Sequence, residues 1–289
     1  MGTLSVIFGS FVFVASCECF LPRRRREFRA LRRRVGNIGF LVANLFLVAF
    51  FLPPASTVRL YLEAIGFPVW PVRDFGLSFV AGFLLLDLLR YAVHRCEHAV
   101  PLFWRFHALH HSDPDVDVTT SVRHHPVEYV LASAVYWTAV LVLGVPAIIV
   151  LGHGLTNFAA AAIQHGNIRL PERLERWLQP VLVTVDMHRI HHSVVFDQAN
   201  SNYGAVFSIW DRLFGTYTVI TRTQHDSIVF GVRELLRREC LRPSAMMLTP
   251  WLLSSAKRSA IPIAPSLARC REAGGAPRAE VKTTAPLFR

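Results

Sequence analysis

The chain has 289 residues, 52% of them hydrophobic and 18% charged, and a formal net charge of +11. That balance excludes a chain disordered over most of its length, and five cysteines, an odd number, exclude a disulfide scaffold. A mean hydropathy of +0.35 also argues against a basic, soluble nucleic-acid binder.

Leu4 to Leu21 is an apolar run interrupted only by small polar residues and Glu18. No positive charge precedes it, so it does not read as a secretory signal. Behind it, Arg23 to Arg34 holds eight arginines. Two readings compete: a patch for anionic lipid or nucleic acid, and a positive-inside anchor that leaves the arginines in the cytoplasm. The second is favoured. Val35 to Leu52 is a stretch of 18 uncharged residues, enough to span a hydrocarbon core of about 30 Å. Pro53 and Pro54 end it, and the formally neutral segment to Asp74 reads as an outer loop. Phe75 to Val93 is a third apolar run that carries Asp87 and Arg90; ionisable residues inside a membrane span mark function by default. Val127 to Gln164 is a fourth stretch divided by Gly144-Val145-Pro146. Proline stops one helix and starts the next, giving a hairpin that leaves and re-enters on one side. The expected fold is an all-α, polytopic membrane bundle of about five hydrophobic helices with a cytoplasmic, histidine-rich helical cap. The expected organisation is N-terminal membrane helices over 1–73, a catalytic region over 74–221 and a basic region over 222–289. From about residue 257 the composition predicts a disordered tail.

Most of the 13 histidines fall in tight groups. His94 and His98 form H-x3-H; His107, His110 and His111 form H-x2-H-H; His188, His191 and His192 repeat that pattern. On a helix, positions i, i+3 and i+4 share a face, so each group can aim its imidazoles at one point. Two H-x2-H-H boxes by accident are expected on the order of a few times in ten thousand such chains. All three boxes lie at one end of the predicted spans. Eight imidazoles are too many for one tetrahedral zinc, and two metal ions are the economical reading. His153, inside the hairpin, reads as structural, and His225 carries no reading. Asp87, Tyr91, His94 and His98 form one helical stripe. Asp87 either orients a ligating imidazole or pairs with Arg90.

These residues resemble the fatty acid hydroxylase/sterol desaturase superfamily, the integral-membrane di-iron oxygenases. The resemblance runs from about Asp74 to Tyr217. It rests on the stretch from Asp87 to His98, the box around Trp104 to Ser112, and the element Arg123-His124-His125-Pro126-Val127-Glu128. It continues through Gln164-His165-Gly166-Asn167, Met187 to Ser193, Asn202-Tyr203-Gly204 and Trp210 to Tyr217. It implies ten metal ligands: His94, His98, His107, His110, His111, His125, His165, His188, His191 and His192. In the family's pattern the histidine before proline takes the role, which selects His125 over His124. Asp87, Asn167, Asp186 and Asn202 become supporting residues of the catalytic site. The resemblance implies two non-heme iron ions and hydroxylation or desaturation of a fatty acyl, sterol, carotenoid or ether lipid. No heme, ferredoxin or nucleotide-binding motif is present in the sequence, so two electrons must come from a separate reductase. A zinc-dependent membrane hydrolase, an inactive scaffold and a metal transporter are the competing readings. No nucleic-acid partner is expected. The near absence of lysine fits a bacterial inner-membrane protein.

Overall fold

The computed structural model describes residues 2–24, 30–52, 55–67, 70, 75–236 and 243–255. The predicted disordered tail and the centre of the arginine block lie outside the described residues. Among the described residues, four helices are long and apolar enough to cross a membrane: α2 (Ala30–Phe51), α4 (Phe75–Ala99), α6 (Pro126–Leu143) and α7 (Ala147–His165); α1 (Gly2–Phe20) comes before α2, and α3 (Ala55–Ala64) lies between α2 and α4. The fifth expected span, α1, is apolar but shorter over Ser5–Phe20. No strand is present among the described residues beyond isolated bridges. The chain is a helical membrane protein.

The spans are inside-out relative to a soluble bundle. Val42, Phe46, Phe50, Leu77, Val135 and Val142 are exposed, whereas Asn37, Asn44, Asp87, His153 and Gln164 are buried. Apolar side chains face lipid and each polar one must find a partner within the bundle. The break at Gly144 is backbone-driven: its φ is +64°, a left-handed helix end that glycine tolerates, and Pro146 opens α7. At this far end the expected outer loop contains α3 instead. Arg59 donates to Glu63 one turn on at 3.2 Å, and Glu63 accepts the Ala147 N–H at 3.0 Å, capping α7.

The other end carries the cap. It comprises α5 (Pro101–His111), a 3-10 turn (Val118–Val122), α8 (Glu172–Leu178), α9 (Val185–His191), α10 (Phe196–Ala199), α11 (Ile209–Leu213) and α12 (Arg222–Asp226). Among the described residues α13 (Pro243–Met246) and α14 (Thr249–Ser255) follow. The region after Arg222 shows little pattern in sequence, yet it packs: Phe230 is buried under Arg24 and Arg189, and Val232 and Leu235 join Ala108, Trp104 and Leu252.

The arginine block is in part a clamp. Arg33 pairs with Asp113 at 2.7 Å and with Asp117, and Arg34 reaches Asp117 at 2.8 Å and Glu18 at 3.0 Å. Arg23 pairs with Asp186. These contacts tie α1 and α2 to the loop behind α5 and to α9. Asn167 belongs to the same clamp: its N–H donates to Glu18 at 2.7 Å and its side chain donates to the Arg24 carbonyl at 2.9 Å.

Candidate metal centre

Four helix ends converge under the cap. α4 brings His94 and His98; α5 brings His107, His110 and His111; α7 ends on His165; α9 brings His188, His191 with His192 at its end. They form two groups. His94, His98, His107, His111 and His191 are one; His110, His165, His188 and His192 are the other. In α5 and α9 the i and i+4 residues go to one group and the i+3 residue to the other. Successive turns advance by 40° or fall back by 60°, so one box straddles two metals.

The nitrogen geometry calls for cations. His94 and His191 each donate Nδ1–H to a carbonyl, Tyr203 at 2.9 Å and Ser201 at 2.7 Å, because a carbonyl only accepts. Their Nε2 lone pairs then face each other at 3.0 Å. His165 donates Nδ1–H to the Ala161 carbonyl at 2.7 Å, and its Nε2 lies 3.1, 2.9 and 3.1 Å from those of His110, His188 and His192. Two ligands about 2.0–2.1 Å from one ion are separated by about 2.9–3.4 Å, so these spacings are edges of a coordination polyhedron. Burial, and then the neighbouring imidazoles, hold His110, His111, His188 and His192 well below the usual histidine range. Burial pushes His191 down to about 3. Neutral imidazole is the form that binds a metal. His107 is the exception: Glu128 and Glu97 outweigh burial and raise it.

Buried carboxylates hold this arrangement from one step away. Glu128 accepts from His107 Nδ1 at 2.9 Å and from His124 Nδ1 at 2.8 Å, and His124 stacks on His110 with centroids 4.5 Å apart. Asp87 accepts the N–H groups of Val206 at 3.0 Å and Phe207 at 3.1 Å, and the Trp210 indole at 2.9 Å. Asp211 accepts the N–H groups of Tyr203 at 2.7 Å and Gly204 at 2.8 Å. Together they pin the strap over 201–210 that presents the Ser201 and Tyr203 carbonyls. Gly204 is required there, since a Cβ would sit 2.6 Å from the Phe207 carbonyl. Arg123 closes α5 behind its histidines, donating to the Leu109 carbonyl at 2.9 Å and to Ser112 at 2.6 Å.

Nine of the ten sequence-derived ligands are brought together. His125 is not. It caps α6, accepting the Val127 N–H at 3.2 Å, while its Nε2 faces the Met247 carbonyl at 3.3 Å. Proline after it fixes that capping conformation, and His124 takes the place beside the cluster. Among the described residues, none of the four supporting candidates bonds a clustered histidine. Asp87 holds the strap and lies 3.7 Å from His153 Nε2, rather than supporting a clustered imidazole or Arg90, and Asn167 and Asp186 serve the arginine clamp. Asn202, at φ +56°, donates to the Met187 carbonyl at 3.1 Å and the Thr218 carbonyl at 2.9 Å, joining α9 to the strap. His153 donates or accepts at Tyr136 over 3.1 Å, a structural role. His225 is buried and lies 3.8 Å from Asp186. Glu128 was legible as the residue one helical turn after His124; the Ser201 and Tyr203 carbonyls leave no trace in sequence.

A model of the family described as fatty acid hydroxylase matches residues 79–216. The chain is 31% identical over 148 residues to ornithine lipid hydroxylase OlsE of Rhizobium tropici, covering 51% of this chain and 43% of that protein. It is 27% identical over 159 residues to alkylglycerol monooxygenase of Homo sapiens, covering 55% and 34%. It is 29% identical over 142 residues to lathosterol oxidase of Mus musculus, covering 49% and 45%. The matched stretch takes in less than half of each relative's length. No solved structure matches the chain.

Proposed function

Starting from a chain that belongs to the fatty acid hydroxylase/sterol desaturase superfamily, we propose that it is a membrane-bound di-iron oxygenase that hydroxylates a C–H bond of a lipid. The observation that carries this is the pair of buried imidazole groups with Nε2 atoms facing one another. His94, His98, His107, His111 and His191 would hold one iron, and His110, His165, His188 and His192 the other. Iron held there would supply the chemistry for reducing dioxygen and oxidising the C–H bond, which side-chain acid–base chemistry does not reach.

The chain's own residues bind, orient and exclude. The carbonyls of Ser201 and Tyr203 fix which nitrogen of His191 and His94 carries the proton. Trp104 packs on His98 and His111, with centroids 5.0 and 5.5 Å away, and keeps water off that side. Tyr203 sits edge-on to His94, His98 and His191 and closes another. A lipid substrate reaches such a site from the bilayer, along spans whose outer faces are apolar. Of the lipid classes the family suggests, the ornithine lipid and alkylglycerol enzymes among the relatives make polar membrane lipids the first to test. Two electrons come from a separate donor protein, and the histidine end faces a bacterial cytoplasm.

The test is iron and zinc per chain in detergent-purified protein, beside the His110→Ala/His191→Ala double variant, followed by oxygen uptake with reductant and lipid. About two irons, lost in the variant, with lipid-dependent oxygen uptake, is the expected result. One zinc, or metal unchanged in the variant, overturns it in favour of a zinc hydrolase or a scaffold.

A further inference from the structure

The surface of the cap is uneven. Around α12 it is charged: Arg169 pairs with Asp226 at 2.7 Å and Arg222 with Glu172 at 2.8 Å, all four exposed. Where α14 packs along α5 it is apolar. Val100, Leu102 and Phe103 are exposed at the start of α5, Leu102 at 56%. Met247 and Leu248 before α14 and Trp251 within it are exposed, Trp251 at 64%. No charged residue occurs in 100–104 or in 247–253. Six large apolar side chains exposed on one pair of helices mark a surface that something covers.

Continuity with the spans identifies the cover. His125, at the head of α6, accepts the Val127 N–H on Nδ1 and donates Nε2–H to the Met247 carbonyl at 3.3 Å. Next along α6, Val127 and Leu131 are exposed, while Glu128, the only charged residue of that helix, is buried. Met246 is buried against Phe40 of α2 and Leu109 of α5, and Val42 and Phe46 further along α2 are exposed. Apolar exposure thus passes from the lipid-facing sides of two spans onto α14. Neither α5, with 11 residues, nor α14, with 7, is long enough to cross a hydrocarbon core of about 30 Å. An exposed tryptophan beside membrane spans suits the boundary between acyl chains and headgroups.

The same two helices lead inward to the histidines. Trp104 of α5 and Leu252 and Leu253 of α14 pack on one core, Ala108, Val232 and Leu235. The Trp104 ring lies 5.0 Å from that of His98. His94 and His98 are half-buried, whereas the other three histidines of their group and all four of the second are buried. An acyl chain lying on α5 and α14 is therefore one side chain away from the least covered edge of the centre. We propose that the face formed by α5 and α14 is embedded in the acyl layer of the leaflet, and that an acyl chain passes from it to the histidines beside Trp104. The family match ends at residue 216, so it does not supply α14. The lipid contact stands on the exposed surface alone; that the admitted chain is the one oxidised rests on the oxygenase reading above.

The experiment reconstitutes the full chain in bilayers containing a phosphatidylcholine with a diazirine on its acyl chain, irradiates them and maps adducts by mass spectrometry. Adducts are expected on peptides covering 100–104 and 247–253, as on the α6 peptide around Val135, and on Trp104 itself; none are expected on α12. In a Leu248→Glu/Trp251→Glu variant, both at exposed positions, adducts on Trp104 should fall about tenfold, the factor that withdrawing one large apolar side chain from lipid gives. Metal content should be unchanged in the variant. Adducts on α6 without any on 100–104 and 247–253 overturn the proposal, and a dimer in that case assigns the patch to a second copy of the chain. Adducts on both helices but none on Trp104, or Trp104 labelling unchanged in the variant, overturn the passage of the chain by this route. Labelling is read without turnover, so a failed oxygenase leaves this result standing on its own.

Discussion

The two histidine groups are built from the same residue type and secured differently. In the five-membered group, His94, His107 and His191 each have Nδ1 tied to an acceptor: Tyr203, Glu128 and Ser201. In the four-membered group only His165 is tied, to a carbonyl of its own helix, and Nδ1 of His110, His188 and His192 has no partner. An acceptor on the distal nitrogen fixes the tautomer, holds the ring and raises its basicity. The first site is preorganised by hydrogen bonds and the second by packing. Similar ligand counts therefore do not mean similar affinity.

The largest effects come from removing ligands. His165→Ala takes away the imidazole whose Nε2 touches all three others of its group. It should leave one metal per chain and oxygen uptake below about a hundredth of wild type, since the two ions act as a unit. His94→Ala should leave the other ion. Elemental analysis of the two variants checks this; loss of both metals from either would show one fused cluster instead of two sites.

The next effect is on affinity. Titration with a chelator should strip the four-membered group first, with affinities separated by about tenfold or more, the range outer partners contribute. Glu128→Gln keeps the shape but removes the charge that both His107 and His124 share. It should weaken the five-membered site by about tenfold and merge the two chelation steps. Two steps that stay apart in this variant would mean that the difference has another origin.

A smaller effect follows from the strap. Asp87→Asn removes the ionised acceptor of three N–H groups. Hydrogen bonds to a charged group contribute about 1.5–3 kcal/mol, so the variant should unfold at lower temperature. Because the strap supplies carbonyls to His94 and His191 only, retained metal should fall in the five-membered site and hold in the other. Equal loss from both would place Asp87 in general stability.

Sequence reading found the spans and the boxes because both are periodic. Hydrophobic length fixes a span, and i, i+3, i+4 spacing puts histidines on one face. It did not find that each three-histidine box divides between two ions, since that depends on where the facing helices sit. It placed His125 rather than His124 at the site, and the deciding factor was the capping conformation before Pro126. Asp87 shares a stripe with His94, which suggested direct support; the support passes instead through a strap more than a hundred residues away. The order of the segment after Arg222 was illegible because single buried residues, Phe230 and His225, hold it without any repeat.

The mildest expected effect contrasts the inner and outer sides of α9. Inside, burial drives imidazoles neutral, which suits a metal. Outside, burial drives Glu175 toward its neutral acid, with a folded pKa of about 7 against 4.5 for the free side chain. The Thr184 hydroxyl and the Asp186 N–H hydrogen-bond it, and the charges of Asp186 and Arg23 beside it oppose one another. A carboxyl whose folded pKa is raised favours the fold only while protonated. Below about pH 4.5 it is protonated in both states and costs nothing; as pH rises toward 7 the unfolded chain ionises first and stability is lost. Glu175→Gln removes that dependence. Its Tm should match wild type near pH 4.5 and exceed it above pH 7 by a few degrees: the shift from 4.5 to about 7 sets a ceiling of about 3.4 kcal/mol, at roughly 2–4 °C for each kcal/mol in a chain of this length. A gap that is constant with pH would show that the carboxyl is solvated as in water, and the outer side of α9 would then be an ordinary surface.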